Sequence, residues 1–298
     1  MIEVIPQTRF TGAEIRGVDV SRPIDDAAFR AIEEAFHSWG VVFFRGQTLD
    51  PETQIAFSRR FGDLEPHMRI EHRLAAHPEL LVLSNIVDAN GRAIGSQDAG
   101  RMWHSDESYK RAPARSTLLY GIEIPVDNGV PRGNTGFANT AAAHDALPAD
   151  MQARLATLTN IHSYADYRAK NRAMQLADEA RGKRAVDEHM PDANRLKAVP
   201  DTDVPIVRIH PFTGRKCLFV NEAHTSRIPG LPPAESEALL EFLYAHIIRP
   251  EFVYSHSWQP GDLAMWDNCT VQHKATFDYE LPLRRLMHRT TVRGTAIF

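Results

Sequence analysis

The sequence predicts a mainly β protein, a sandwich or barrel with helical decoration. The last third contains many short apolar or alternating segments, which are typical of strands, and amphipathic segments of helical period gather nearer the start. The chain shows no strand–helix alternation of the dinucleotide-binding kind and no glycine-rich phosphate loop. These patterns argue against a nucleotide-dependent enzyme.

Apolar spacing and capping residues define the elements of the first half. Residues 25–39 carry apolar side chains at helical spacing and predict a helix. A second helix is expected to begin at Pro51, with Asp50 as its cap. Between them, the segment VVFFRG predicts a buried strand. The same patterns predict strands at 80–83 and 116–122, and two short helices on either side of Leu147–Pro148.

The second half is predicted to be mostly strand, apart from one insertion and one helix. The segment 168–203 is polar and charged, so we expect a helix-and-loop insertion there. A helix is predicted from Pro233 to Ile247, with its leucines facing inward. The strands are expected at 204–209 and 216–220 and in the segments EFVYSHSW, DLAMWD and RLMHRTTV.

Composition excludes several classes of function. The chain has 298 residues, 43% of them hydrophobic, and a formal net charge of -4, which argues against nucleic-acid and anionic-membrane partners. No apolar run approaches the roughly 20 residues that span a bilayer, and no secretory signal is visible. Two cysteines do not make a disulfide framework, so a reduced, cytoplasmic protein is expected.

A candidate metal site combines residues that are far apart in the chain. His104 and Asp106 are two positions apart, so in an extended segment both side chains point to one side. His273 follows an apolar strand and a turn-like Asp267–Asn268. Two histidines and one carboxylate with open positions are typical of non-haem Fe(II) oxygenases. Zinc accepts the same ligands, and a surface His–Asp pair with a core histidine is the structural alternative.

Two arginines near the C-terminus are predicted to share one face of a strand. If RRLMHRTT is extended, Arg285 and Arg289 point to one side and Arg284 to the other. Four residues of strand separate the two by about 13 Å. That distance suits two different anions on either side of a reaction centre, and Arg284 is expected to be structural.

These motifs together resemble the Fe(II)- and 2-oxoglutarate-dependent taurine/chlorophenoxyacetate (2,4-D) dioxygenases. The resemblance implies a double-stranded β-helix (a jelly-roll, cupin-like core) in one dioxygenase domain spanning 1–298, with O2 consumed and succinate and CO2 released. It extends nearly end to end, through GAEIRGVDVSRP, VVFFRGQ, AFSRRFGDLEPH, WHSD, GNT, HPFTGRKCLFVNEAHTSRI, WDNCTVQH and RRLMHR. It also implies three groups of site residues: His104, Asp106 and His273 for iron, Thr135 and Arg285 for the distal carboxylate of 2-oxoglutarate, and His67 and Arg289 for the substrate anion.

The chain departs from the taurine-specific pattern that the resemblance implies. Taurine enzymes of this kind carry a tyrosine three residues after the substrate histidine, where this chain has Ile70, and Asn and Asp shortly before the Trp-His pair, where it has AGRM. A substrate ammonium would lose its partners there, and a buried unpaired charge is costly. An anion with an apolar or aromatic body is therefore favoured, such as an aryloxyalkanoate, an alkyl sulfate or another sulfonate. The predicted apolar lining is Ile70, Met102, Tyr109 and Phe137.

Other interpretations stay open from the sequence. The chain could be a taurine dioxygenase proper, a zinc hydrolase on the same scaffold, or a non-catalytic binder of a small carboxylate or sulfonate. A hydrolase requires a general base beside the metal-bound water, for which Glu107 or His67 is available. We further expect a homo-oligomer, a dimer or tetramer, and we expect His224 and His288 to be structural.

Overall fold

The computed structural model describes residues 2–97, 99–181 and 199–296. Its helices are α1 (Asp26–Trp39), α2 (Pro51–Arg59), α3 (Thr140–Asp145), α4 (Ala149–Leu155), α5 (Tyr164–Ala180) and α6 (Pro233–Ile247). Its strands are β1 (Glu3–Pro6), β2 (Ala13–Arg16), β3 (Val41–Phe44), β4 (Arg73–Leu74), β5 (His77–Ser84), β6 (Ser116–Glu123), β7 (Val126–Asp127), β8 (Val130–Pro131), β9 (Thr135–Asn139), β10 (Thr159–His162), β11 (Thr202–Pro205), β12 (Val207–Ile209), β13 (Lys216–Leu218), β14 (Thr225–Arg227), β15 (Val253–His256), β16 (Leu263–Asp267), β17 (Val271–Ala275) and β18 (Leu286–Val292). The prediction of a mainly β protein with helices is confirmed.

Two sheets form the framework of the site. The larger has eight strands in the order β1-β2-β3-β16-β6-β18-β5-β4, and the smaller has three in the order β15-β9-β17. The pairs β16–β6, β18–β6 and β17–β9 are antiparallel, whereas β2 and β3 are parallel. Three further small sheets are β11-β10-β14, β12-β13 and β7-β8.

The larger sheet is covered on both faces, which explains why β3 is continuously apolar. Val42 and Phe44 of β3 belong to a cluster with α1 and α2, whereas Val41 and Phe43 face the opposite side. That opposite cluster also contains residues of the smaller sheet: Phe137 of β9, Tyr254 of β15 and Val271 of β17. The two sheets therefore pack face to face, with helices on the outer face of the larger one. A strand buried on both faces has no polar side to alternate with.

The helix predicted at 25–39 begins one residue later, because Asp25 is its cap, whereas Asp50 caps α2 as predicted. The Asp25 side chain accepts a hydrogen bond from the backbone N–H of Ala28 at the start of α1, which ends at Gly40 in the left-handed conformation (φ 66°). Asp50 caps α2 in a reciprocal capping box with Thr53. The predicted bounds of α6 are confirmed, and its inward leucines belong to a third apolar cluster with α3, α4 and β13.

Some predicted boundaries were wrong. The strand predicted at 204–209 is divided at Ile206, because β11 pairs with β10 while β12 pairs with β13 in a different sheet. The helix of the predicted insertion begins at Tyr164 rather than at 168, since Ser163 accepts the N–H of Asp166 and caps it. The part of the insertion at 182–198 lies outside the described residues. None of the described helices has both the length and the apolarity of a membrane span.

Candidate active site

His104, Asp106 and His273 converge where β17, an edge strand of the smaller sheet, meets the segment that carries His104 and Asp106. The backbones of the two histidines are bonded reciprocally: His104 N–H donates to His273 O at 3.1 Å, and His273 N–H to His104 O at 2.8 Å. Their Nε2 atoms lie 3.6 and 3.8 Å from the two carboxylate oxygens of Asp106. Donors that ligate one ion at roughly 2.1 Å are themselves about 3–4 Å apart. The three side chains therefore have the spacing of a single metal site, and their candidate ligand atoms lie within 4.8 Å of one another.

The chemistry of the donor set also fits a metal. His104 Nδ1 lies 2.9 Å from the carbonyl oxygen of Met102, which can only accept. The proton of the neutral ring therefore sits on Nδ1, and the Nε2 lone pair is directed toward Asp106. The ring of His273 is held between Trp266 and Phe137, with centroid distances of 4.6 and 6.2 Å. The sequence placed His273 after a strand and a turn, and the structure adds that it lies on β17 itself.

Asp106 is buried and ionised. Burial on its own would raise the pKa of its carboxyl group, but the Arg289 guanidinium and the imidazoles of His273 and His104 hold that pKa well below its usual range. Arg289 Nη2 is 3.0 Å from Asp106 Oδ1. Burial lowers the pKa of His273 well below its ordinary value, and His104 and Arg289 lower it further. The imidazole of His273 is therefore neutral near pH 7, the form in which imidazole binds metal.

Arg285, the residue before β18, and Arg289, on β18, reach the same cavity. Both are buried and line one cavity together with Thr135, His104 and His273. Arg285 donates from Nη1 to Gly133 O at 2.7 Å and from Nε to Met287 Sδ at 2.9 Å. The neighbouring Arg284 faces outward and pairs with Glu123 at 2.9 Å on the surface, so its predicted structural role agrees with its position.

A second cavity adjoins the first at His104 and Arg289, which line both. His67 lines this second cavity. Its Nδ1 accepts the backbone N–H of Arg69 at 3.1 Å, so the ring proton lies on Nε2. Burial lowers the pKa of His67 well below its ordinary value, and the positive charges of Arg289 and Arg69 lower it further. His67 is therefore a neutral hydrogen-bond donor next to an arginine.

Comparison with known proteins places this geometry in a family. The family model "Taurine catabolism dioxygenase TauD, TfdA family" matches residues 3–291. The chain belongs to the TauD/TfdA dioxygenase family. It is 34% identical over 294 residues to the alpha-ketoglutarate-dependent 2,4-dichlorophenoxyacetate dioxygenase of Cupriavidus pinatubonensis (96% of this chain and 95% of that protein). It is 32% identical over 301 residues to an alpha-ketoglutarate-dependent sulfate ester dioxygenase of Pseudomonas putida (98% and 90%).

Solved structures agree with this membership. A taurine dioxygenase from Burkholderia xenovorans superposes with a TM-score of 0.79 at 31% identity, covering 99% of this chain and 90% of that one. The structure of AAD-2 in complex with Mn(II) and N-oxalylglycine superposes with a TM-score of 0.76 at 27% identity, covering 100% and 99%. This TauD/TfdA chain is therefore a 2-oxoglutarate-dependent non-haem iron dioxygenase that uses O2, and the zinc-hydrolase and binding-protein interpretations are not supported.

The lining predicted for the TauD/TfdA substrate site was partly wrong. Tyr109 lines the second cavity, but Ile70 is 57% exposed on a short 3-10 turn and lines neither site cavity. Phe137 is fully buried between the two sheets, behind His273, because it lies on the inward face of β9. Met102 is buried and contributes its carbonyl oxygen to His104 rather than a side chain to either cavity.

The residues of the second cavity that sequence reasoning missed include Arg69, Tyr164, Tyr167 and His224. Tyr164 and Tyr167 lie three positions apart in the first turn of α5, a spacing that puts both on one face and could have been noticed. His224 was expected to be structural, yet its ring is 4.9 Å from that of Tyr167 and 5.1 Å from that of Tyr109. Nothing in the local sequence brings it there. By contrast, His288 lies outside both cavities, and its carbonyl oxygen accepts from Gln54.

A second cluster with metal-ligand residue types, His210, Asp267 and Cys269, has a structural explanation. Its candidate ligand atoms also lie within 4.8 Å of one another. However, His210 Nδ1 accepts two backbone N–H groups at 3.1 Å, so the proton must sit on Nε2, which donates to Asp267 at 2.6 Å. An imidazole with both nitrogens engaged in this way offers no lone pair to a metal. The cluster anchors the turn between β16 and β17.

Proposed function

We propose that this dioxygenase hydroxylates a small organic anion with an apolar or aromatic body, releasing succinate and CO2. The observation that carries the proposal is the pair of cavities that meet beside the His-Asp-His cluster. Two buried arginines near the C-terminus line them: Arg285 lines the first cavity, and Arg289 lines both. Two cationic positions on either side of a metal site suit two anionic reactants that must meet there.

In this proposal His104, Asp106 and His273 hold Fe(II). When bound, the iron supplies the O2-dependent decarboxylation of 2-oxoglutarate that is coupled to C–H hydroxylation. The protein contributes donor geometry: a neutral imidazole with a fixed tautomer at His104, and a carboxylate that the Arg289 charge keeps ionised. Three protein ligands leave open positions for the remaining reactants.

Arg285 and Thr135 are proposed to bind the distal carboxylate of 2-oxoglutarate. Arg285 uses Nε and Nη1 within the protein, and among the described residues Nη2 has no hydrogen-bond partner. Thr135 Oγ1 accepts from Trp258 Nε1 at 3.0 Å, so its hydroxyl hydrogen is free to be donated. A guanidinium and a hydroxyl that line the cavity suit a carboxylate, and an iron held by the histidines in the same lining suits the keto-acid end.

Arg289 and His67 are proposed to hold the anionic group of the primary substrate. Arg289 supplies charge, and His67 supplies a neutral N–H donor whose tautomer is set by the Arg69 backbone. The two carboxylates among the described residues lining this cavity are already paired: Asp106 with Arg289, and Glu107 with Lys110 at 2.7 Å. A substrate ammonium would compete with these cations, so the lining favours an anion without an amine over taurine.

The body of the substrate is proposed to rest on an aromatic wall. This wall consists of Tyr109, Tyr164, Tyr167 and His224, whose ring centroids lie 4.8 to 6.0 Å from their neighbours. Tyrosine rings provide a flat apolar surface with a polar tip and favour offset or edge contacts with another ring. One relative is named for 2,4-dichlorophenoxyacetate, which combines a carboxylate with an aromatic ring, and another for sulfate esters.

Several coarser features belong to the same proposal. The face-to-face packing of the eight- and three-stranded sheets supports a double-stranded β-helix (jelly-roll) core in one domain spanning 1–298. A homo-oligomer and a cytoplasmic location stay predictions from the sequence, which light scattering and cell fractionation would test.

The proposed function is tested with a panel of anions. Phenoxyacetate, an alkyl sulfate, an alkyl sulfonate and taurine are each incubated with Fe(II), O2 and 2-oxoglutarate, and succinate is measured with and without each anion. We expect succinate formation above the uncoupled background with at least one aryl or alkyl anion, a smaller response to taurine, and none with His104→Ala. Turnover with zinc in the absence of 2-oxoglutarate, or a response to taurine alone, would contradict the proposal.

A further inference from the structure

A closed ring of hydrogen bonds holds Asp106 from behind. Its backbone N–H donates to Asn268 Oδ1 at 3.0 Å, Asn268 Nδ2 donates to Thr117 Oγ1 at 3.1 Å, and Thr117 Oγ1 lies 2.6 Å from Asp106 Oδ2. All three side chains are buried, with 4%, 1% and 0% of their surface exposed for Asp106, Asn268 and Thr117. The ring therefore belongs to the protein interior, where unsatisfied polar groups are costly.

The direction of every bond in this ring is determined by chemistry. The Asp106 N–H can only donate, so the oxygen of the Asn268 amide must face it and the amide nitrogen must face Thr117. Because that nitrogen already donates to the Thr117 hydroxyl, the hydroxyl hydrogen is left for the ionised Asp106 carboxylate, which can only accept. The carboxylate orientation is thus set by two neutral side chains that touch neither cavity.

Rigid elements hold the two supporting residues in place. Thr117 is on β6, paired with Trp266 of β16 on one side and with Thr291 of β18 on the other. Asn268 lies in the turn between β16 and β17, and its backbone N–H donates to Arg115 O at 3.0 Å. The preceding Asp267 is anchored by His210. The ring therefore connects Asp106, which lies outside the sheets, to the strands that carry Arg289 and His273.

We propose that Thr117 and Asn268 are positioning residues for the metal site, acting through Asp106. The proposal rests on the metal-binding part of the proposed function. Without the Thr117 hydroxyl, the carboxylate loses its strong charge-assisted bond and is free to rotate toward Arg289, 3.0 Å away. Loss of such an outer partner typically weakens metal binding by about 10- to 100-fold. We expect that range for Thr117→Val, which keeps the shape of the side chain and removes the hydroxyl.

The test measures metal affinity directly, without turnover. Metal-free protein is titrated with Mn(II) alone, and free Mn(II) is followed by electron paramagnetic resonance. Thr117→Val and Asn268→Ala should each bind Mn(II) about 10- to 100-fold more weakly than the natural protein. Thr117→Ser, which keeps the hydroxyl, should bind within about threefold of it. Melting temperatures of the metal-free proteins show whether each variant is folded. If Thr117→Val does not fold, Asn268→Ala and Thr117→Ser still test the proposal.

A matched control separates positioning from stability. Thr140 is also buried, and its hydroxyl donates to the backbone oxygen of Thr270 at 2.9 Å rather than to any of the three proposed metal ligands. Thr140→Val should lower the melting temperature without changing Mn(II) affinity. Equal affinity of folded Thr117→Val and the natural protein, or equal loss in Thr140→Val, would overturn the inference. If the natural protein and His104→Ala bind Mn(II) alike, the metal site itself is refuted, and the positioning role with it.

Discussion

Replacing Arg285 tests the assignment of the two arginines most directly, because its neighbour provides a control. Arg285 is buried and lines the first cavity, whereas Arg284 pairs with Glu123 on the surface. Methionine at position 285 would keep much of the apolar bulk and remove the charge. A hydrogen bond to a charged group is worth about 1.5–3 kcal/mol, and each 1.4 kcal/mol is about tenfold in affinity. We therefore expect Arg285→Met to raise the KM for 2-oxoglutarate by about 10- to 150-fold.

The assay is succinate formation at varied 2-oxoglutarate with the best anion held at saturation. Arg284→Met should leave the KM within about twofold, since an exposed ion pair contributes about 0–1 kcal/mol to stability and does not reach the cavity. Arg285→Met also loses its bond to Gly133 O, so thermal unfolding is measured to exclude misfolding. A folded Arg285→Met enzyme with an unchanged KM for 2-oxoglutarate would refute the reasoning, as would equal effects at the two positions.

Three further predictions concern the contact of Gly133 with Arg285, the packing of the core, and the dependence of stability on pH. Gly133→Ala should raise the KM for 2-oxoglutarate, because φ is 75° at this position and the new Cβ would meet Arg285 Nη1. Gly129→Ala is the control, since φ is 80° there but the Cβ would enter open space, and it should leave the KM unchanged. Equal kinetics of the two variants would contradict this prediction. Leu243→Ala should lower the free energy of unfolding, measured in urea titrations, by about 2–5 kcal/mol, because this side chain is buried in the α6 cluster. Phe242 is half-exposed, so Phe242→Ala should lower it by clearly less. Similar losses in the two variants would argue against the packing described for α6. Burial lowers the pKa of His162 to about 4 from 6.5, so the unfolded chain binds more protons between those values and stability is lost as pH falls from about 6.5 to about 4. The loss of stability is measured as the difference in unfolding free energy between pH 7 and pH 4.5, and His162→Gln should reduce this difference by up to about 3 kcal/mol. The same difference in the variant and the natural protein would exclude His162 as the source of the acid destabilisation.

Local patterns predicted a large part of the molecule because they depend on near neighbours. The extent of α1 to within one residue, the bounds of α6 and the common side of Arg285 and Arg289 follow from helical or strand periodicity, and the Asp50 cap follows from capping preference. The strands β9 and β17 were not predicted, since they are short and mix polar with apolar residues. Their strand conformation comes from pairing with each other, which no short window of sequence reveals.

The aromatic wall and the lining errors have the same origin. Phe137 and Tyr109 are both aromatic and equally plausible as lining, yet one lies between two sheets and the other opens on a cavity. Tyr164 and His224 contact Tyr109, because α5 and the segment before β14 pack beside the segment that carries Tyr109. Tyr167 contacts Tyr164 and His224. Which face of an element borders a cavity is decided by the packing of distant elements.

The sequence alone therefore determined the chemical types at the site: two imidazoles, one carboxylate and two arginines on a shared strand face, because residue identity and period-two alternation are local properties. The tertiary structure alone decided that His273 bonds its backbone to His104, that Thr117 and Asn268 orient the Asp106 carboxylate, and that His210 serves a turn rather than a metal. Asp106 and Asn268 are 162 residues apart in the chain and His210 and Asp267 are 57 apart, and only tertiary packing brings such groups within hydrogen-bond distance.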